Sequence, residues 1–200
     1  MAFRRRVTLR RRQAMKLFAI SGSARRSSTN TALLRAMQAI APAGIALDVY
    51  DAIGELPVFS PDLEGPRLPS GVRHFMQKIS ASDGLVIASP EYVRSIPGGL
   101  KNAIDWLVSG DQVVGKPIAL VHASHRGDDM LAMLRTVLAT ISANFNDRLF
   151  FRLPVMSQPP ETILDMLKSP ANRLAAEQFL QDFAAFCRQA RDGKPDSMAI

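Results

Sequence analysis

The feature that most narrows the folds open to this chain is a change of hydrophobic period that repeats along it. From Met15 onward, short runs that are apolar throughout alternate with longer segments whose apolar residues recur at three- and four-residue spacing. Uninterrupted apolar runs suit strands buried on both faces, and the longer period suits helices with one buried side. The two together call for a parallel sheet covered on both faces, its strands joined by right-handed helical crossovers. "KLFAIS", "IALDVYD", "GLVIAS", "KPIALVHAS" and "RLFFRLP" are the five strands in chain order. Helices are predicted over Thr31 to Ala41, with Leu33, Leu34, Met37 and Ile40 inward, and after Gly71, with Val72, Phe75, Met76 and Ile79 on one side. Others follow over "GLKNAIDWLVSG", over Asp128 to Ile141 with Leu131, Leu134, Leu138 and Ile141 aligned, and over Ala171 to Arg191. The last should bury Leu174, Phe179, Leu180, Phe183 and Phe186. This is an α/β pattern, a three-layer sandwich whose five-stranded parallel sheet has the expected order 2-1-3-4-5.

In such sheets ligands gather beyond the carboxyl ends of the strands, where the strand order reverses, here between the first and third strands. A polar loop leaves each of those ends. The first, "SGSARRSSTN", offers hydroxyls, an amide, guanidinium groups and the free N–H groups of a helix start, all donors that could converge on one anion. It lacks both G-x-x-x-x-G-K-S/T and G-x-G-x-x-G, so a terminal phosphomonoester suits it better than a triphosphate or a dinucleotide pyrophosphate. The competing reading is that Ser28 or Asn30 does no more than cap the helix that follows. The second loop, "PEYVRSIPGG", exposes backbone groups beside a tyrosine, a good edge for a planar heterocycle. A third stretch, Gly54 to Gly71, holds Pro57, Pro61, Pro66 and Pro69; it is either a lid or a plain solvated connection.

Composition removes several other classes. With 200 residues, 47% of them hydrophobic, one domain can bury a full core. The single cysteine, Cys187, excludes a disulfide framework and favours a reducing compartment, so the cytoplasm is expected. No apolar run approaches the roughly 18 to 20 residues of a membrane span. The net charge is +7, but six arginines (Arg4, Arg5, Arg6, Arg10, Arg11 and Arg12) fall within residues 1–14, and the other 186 residues balance to +1. Nucleic acid is therefore not the expected partner. Residues 1–14 are either a disordered extension, with Met15 an alternative start, or a basic arm for an acidic surface; residues 15–200 form the domain. His74, His122 and His125 have no metal-ligand spacing, and G-x-S-x-G is absent, which argues against zinc and against a serine nucleophile.

At the two polar loops the chain resembles a known family. "GSARRSSTN" resembles the GSxRxxSxN phosphate loop, and "PEYVRSIPGGLKNAIDW" the PEYxxSxPGxLKNAIDW segment, of NAD(P)H-dependent FMN reductases, which include bacterial quinone and chromate reductases. The resemblance runs over about Met15 to Arg191 and implies a flavodoxin-like fold. It implies FMN as cofactor, NADPH or NADH as electron donor, and a small-molecule acceptor such as a quinone, an azo or nitro compound, or chromate. Ser23, Arg25, Ser28 and Asn30, with the amide of Thr31, are implied ligands of the FMN phosphate. Pro90, Glu91, Tyr92 and Ser95 would border the isoalloxazine and ribityl groups. Val93 stands where many members carry Asn, so its contact must be made by backbone. Arg94 is either a mouth residue for an anionic substrate or the NADPH phosphate, or simply solvated. Ser124, in "ASHRGDDM", belongs to the third ligand loop, where Gly127 alone replaces the usual glycine pair and His125 and Arg126 neighbour the ring. Lys101, Asn102, Asp105 and Trp106 match the motif, but their helical spacing suits packing and subunit contact better than catalysis. The resemblance further implies a homodimer or homotetramer and no catalytic protein nucleophile or general acid. The alternative is a non-enzymatic FMN electron carrier of flavodoxin type, a class that is typically acidic, unlike this near-neutral body.

Overall fold

A computed structural model describes residues 14–193. The proposed extension therefore lies, but for its last residue, outside the described residues. Five strands, β1 (Met15–Ser21), β2 (Ile45–Tyr50), β3 (Gly84–Ala88), β4 (Ile118–His122) and β5 (Phe145–Arg152), form one sheet in the order β2-β1-β3-β4-β5, every neighbouring pair parallel. The central strands are buried as their composition requires: all five residues of β3 and all five of β4 are inaccessible to solvent. The edge strands β2 and β5 are more open, and the pairing of β4 with β5 shifts register between Ile118–Phe145 and Leu120–Phe150.

Alternation along each strand supplies two cores. Leu17 and Ala19 of β1 face helices α1 (Thr29–Ala39), α5 (Ile163–Lys168) and α6 (Pro170–Asp192), meeting Leu33, Leu34, Leu167 and Phe183. Phe18 and Ile20 face α2 (Ser70–Ala81), α3 (Gly98–Asp105) and α4 (Asp128–Ile141), meeting Phe75, Leu100 and Leu134. Gly84 at the start of β3 has a packing reason to lack a side chain. A Cβ there would lie 2.5 Å from the Cys187 sulfur and 2.9 Å from the Phe183 ring.

Differences from the sequence reading are local. Leu174 is not buried: it is 68% exposed. The buried stripe of α6 passes through Ala176, Leu180, Phe183 and Cys187, and at about 100° per residue Leu174 lies about 120° away from it. Phe186 is half-buried beside the same core. α1 begins two residues earlier than its apolar pattern does, so Asn30 lies in its first turn rather than before it. The proline-rich stretch is punctuated by three short 3-10 turns, Ile53–Glu55, Pro61–Leu63 and Gly65–Arg67, two of them with proline in the opening position or the next. α5, too short for its period to register, was not foreseen.

Candidate functional site

β1 and β3 are neighbours, and their carboxyl ends, Ser21 and Ala88, mark where strand order reverses. The turn after β1 is held against the end of β3. The Gly22 N–H donates to the Ala88 carbonyl at 2.6 Å, and a Cβ on Gly22 would lie 2.9 Å from both Ser89 Oγ and Leu100 Cδ2. The absence of a side chain at Gly22 lets the turn approach β3 this closely. The Ser21 and Thr31 hydroxyls are bonded at 2.7 Å, tying the strand end to α1. The Arg25 N–H donates to Ser23 Oγ at 3.2 Å, and the Thr31 N–H to Ser28 Oγ at 3.4 Å. Ser28 thus caps α1, as the plainer reading held, and the Thr31 amide is engaged by it rather than free. The hydroxyl protons of Ser23 and Ser28 have no acceptor among the described residues, and the Arg25 side chain is exposed without a partner there. Asn30 is 5% exposed, and its Oδ1 is buried with no hydrogen bond. An orphaned buried oxygen beside so many donors asks for a partner, which a bound ligand or an ordered water would supply.

The loop after β3 reverses at Val93 and Arg94. Tyr92 and Ser95 exchange two backbone hydrogen bonds, 3.2 and 3.0 Å, across the turn, and both central residues have left-handed backbone, φ 51° and 59°. That geometry normally selects Asn-Gly. Val93 is 99% exposed, so no packing compensates its strain. Three ties fasten this loop to its neighbour, the loop after β4 and the first turn of α4 that it leads into. Arg94 Nε donates to Asp129 Oδ2 at 2.6 Å. The Met130 N–H donates to Glu91 Oε2 at 3.3 Å, so Glu91 satisfies a first-turn amide of α4 that Gly127 at the N-cap has no side chain to meet. His122 contributes the third tie, from beneath. Its ring is 1% exposed, with Nδ1 3.1 Å from the Ser89 carbonyl and Nε2 2.5 Å from the Arg126 carbonyl. Ser124 is half-buried; its Oγ accepts from the Arg126 N–H at 3.0 Å and donates to Met156 Sδ at 3.3 Å.

The structure therefore brings Ser23, Arg25, Ser28, Asn30 and Thr31 together in one turn and Pro90, Glu91, Tyr92, Val93 and Ser95 in the next, with Ser124 on the third loop. Arg94 is exposed and carries a surface ion pair with Asp129, and His125 and Arg126 are exposed. Of the residues assigned to packing, Asn102 and Trp106 do pack: Asn102 exchanges hydrogen bonds with Phe59 N (2.8 Å) and Pro57 O (3.0 Å), and Trp106 Nε1 donates to Pro57 O at 2.8 Å, fastening the proline-rich loop to the end of α3. Lys101 is exposed and pairs with Asp105 along the helix. Sequence reasoning passed over His122, weighed only as a metal ligand. The sole signal was a histidine at the end of an otherwise apolar strand.

The residues present fit FMN. Uncommitted hydroxyl protons, an unpaired guanidinium and the amino end of a helix suit a phosphate, and the acceptor oxygen of Asn30 suits a ribityl hydroxyl. The architecture and loop set define a flavodoxin-like α/β protein with a donor-rich turn at the strand-order switch. The model of the NADPH-dependent FMN reductase family matches residues 15–152. The chain belongs to that family and is an NAD(P)H-dependent, FMN-linked oxidoreductase; the flavodoxin-type carrier is not favoured. It is 34% identical over 184 residues to a 2-hydroxy-1,4-benzoquinone reductase of Burkholderia sp, covering 89% of this chain and 99% of that one. It is 35% identical over 118 residues to a quinone reductase of Escherichia coli (strain K12), covering 58% of this chain and 62% of that one. Among solved structures, the flavoenzyme NAD(P)H:(acceptor) oxidoreductase FerB of Paracoccus denitrificans superposes with a TM-score of 0.70 at 23% identity, covering 88% and 99% of the two chains, which supports the fold.

Proposed function

We propose that this chain passes electrons from NADPH or NADH, through FMN held on the three loops, to a quinone-type small molecule. The observation that carries the placement is the turn between β1 and α1, with its uncommitted donors and the orphaned Asn30 Oδ1 at the strand-order switch. When bound, FMN would supply the redox chemistry between the nicotinamide donor and the acceptor. The chain's residues hold and orient. Ser23, Arg25 and Ser28 bind the phosphate, Asn30 accepts from the ribityl chain, and Thr31 fixes the turn through Ser21. Pro90, Tyr92, Val93 and Ser95 line the ring edge largely by backbone; Glu91 holds its loop in place, and Ser124 closes the third side. No protein group forms a bond to substrate.

The domain doing this work spans residues 15–200, with the basic residues 1–14 outside the reaction and nucleic acid not a partner. We place the protein in the cytoplasm as a homodimer or homotetramer. The unpaired Cys187 supports a reducing compartment; among the described residues no helix is long and apolar enough to cross a membrane. An anaerobic titration tests the function. The protein is saturated with FMN, NADPH or NADH is added stepwise, and benzoquinone follows. Bleaching of the visible flavin band, restored by the quinone, is the expected course. FMN that binds but is reduced by neither nucleotide refutes the reductase reading, and absence of FMN binding refutes the site.

A further inference from the structure

His122 presents both ring nitrogens to carbonyl oxygens, one from each of the two loops that flank the proposed ring compartment. The Ser89 carbonyl belongs to the loop after β3 and lies 3.1 Å from Nδ1; the Arg126 carbonyl belongs to the loop after β4 and lies 2.5 Å from Nε2. A carbonyl only accepts, and a neutral imidazole has a single N–H, so the neutral ring can serve one of these oxygens and turns a lone pair toward the other. Only the imidazolium donates to both. Gly127 makes the enclosure possible: its φ is +98°, and a Cβ there would sit 2.8 Å from Nε2 and 3.7 Å from the Glu91 Cβ.

We propose that His122 is a positioning residue that ties the two loops of the FMN ring compartment together, and that the tie is complete only when its ring carries the second proton. The inference rests on the FMN reading for the compartment's occupant, though not for the tie itself. Burial disfavours the charged ring and, with the nearby Arg152 cation, holds its protonation below the ordinary histidine range; the Arg126 and Ser89 carbonyls and the Asp128 carboxylate pull the other way. The charged groups around it are Arg152 at the end of β5, paired with Asp128 at the start of α4, Arg126 in the loop itself, and Glu91 across Gly127. Near neutral pH one loop is therefore held and the other is released from the ring. A cofactor that needs both loops in place binds the doubly tied form better, and linkage makes the effect reciprocal. FMN should raise the ring's titration midpoint, and acid should favour the compartment's closure.

The test is nuclear magnetic resonance on the labelled full chain, following the His122 ring and the carbonyl carbons of Ser89 and Arg126 from about pH 8 to about pH 5. Without FMN, the signal of the carbonyl that the neutral ring does not serve should move toward its hydrogen-bonded position with the ring's own midpoint; a ring that titrates while neither carbonyl moves overturns the tie. With saturating FMN, the midpoint should rise by about one unit, a tenfold coupling of the size one charge-assisted hydrogen bond supports. A midpoint unmoved by bound FMN overturns the coupling. As a second arm, the ratio of FMN affinities of wild type and His122→Gln cancels the titration of the FMN phosphate itself. That ratio should grow about tenfold from the alkaline to the acid end, whereas a merely structural role would leave it flat. If the variant fails to fold, the wild-type arm still decides. If FMN does not bind at any pH while the second carbonyl titrates with the ring, the proposed function and the coupling fall and the tie stands.

Discussion

Arg25 separates the proposed phosphate chemistry from the fold, because its guanidinium makes no hydrogen bond or ion pair with a described residue and can be removed without leaving a partner stranded. Arg25→Ala should keep the melting temperature of the FMN-free protein and weaken FMN binding about ten- to a hundredfold, the value of one charge-assisted hydrogen bond. Fluorescence titration of FMN reads this directly, and an unchanged affinity would remove Arg25 from the site. Val93 is the opposite case, a residue that costs stability where it stands. A β-branched side chain in left-handed backbone costs roughly 1 to 2 kcal/mol, and at 99% exposure nothing repays it. Val93→Asn should raise folding stability by about 1 kcal/mol in urea unfolding, because Asn tolerates this backbone. A destabilised variant would mean that the turn does not hold this geometry in solution. The identities of these residues were legible in sequence; their commitments were not. That Glu91 spends its carboxylate on an amide of α4, and Arg94 its charge on Asp129, depends on two loops meeting in space.

At the scale of elements, apolar period was enough to place all five strands and five of the six α-helices, because each buries a face wide enough to show in the sequence. It failed where burial is decided by neighbours rather than by period. Leu174 sits in an apolar pattern but on a side of α6 that no described residue buries, and α5 is a short segment held by α1 and α6 more than by its own propensity. Gly84 shows the same dependence from the other direction. In the sequence it simply opens a strand, whereas in the fold it is the gap into which α6 sets Cys187 and Phe183. The burial that makes this contact tight also pushes the Cys187 thiol up to about 12, so it stays a neutral packing group. Gly84→Ala should therefore destabilise the protein by about 1 to 3 kcal/mol through overpacking, despite alanine's easier backbone. Urea unfolding at fixed pH measures it; a neutral result would show that α6 can move off the sheet at no cost.

For the molecule as a whole, the site and the stability are coupled, because the three loops are joined to one another only by a few polar ties while the sheet and helices carry the core. A ligand that engages all three adds its binding energy to the folded state alone. At a free concentration of one hundred times its dissociation constant, FMN should stabilise the fold by about 2.7 kcal/mol, which in a domain of this size raises the melting temperature by about 5 to 10 °C. Riboflavin separates the contributions. It carries the same ring and ribityl chain without the phosphate, so at the same concentration it can engage the loops after β3 and β4 but not Ser23, Ser28 and Arg25. Its shift should be a small fraction of that of FMN, and Arg25→Ala should bring the two ligands closer together. Equal shifts in the wild type would mean that the turn after β1, for all its donors, holds no phosphate. The binding energy would then lie wholly in the ring compartment.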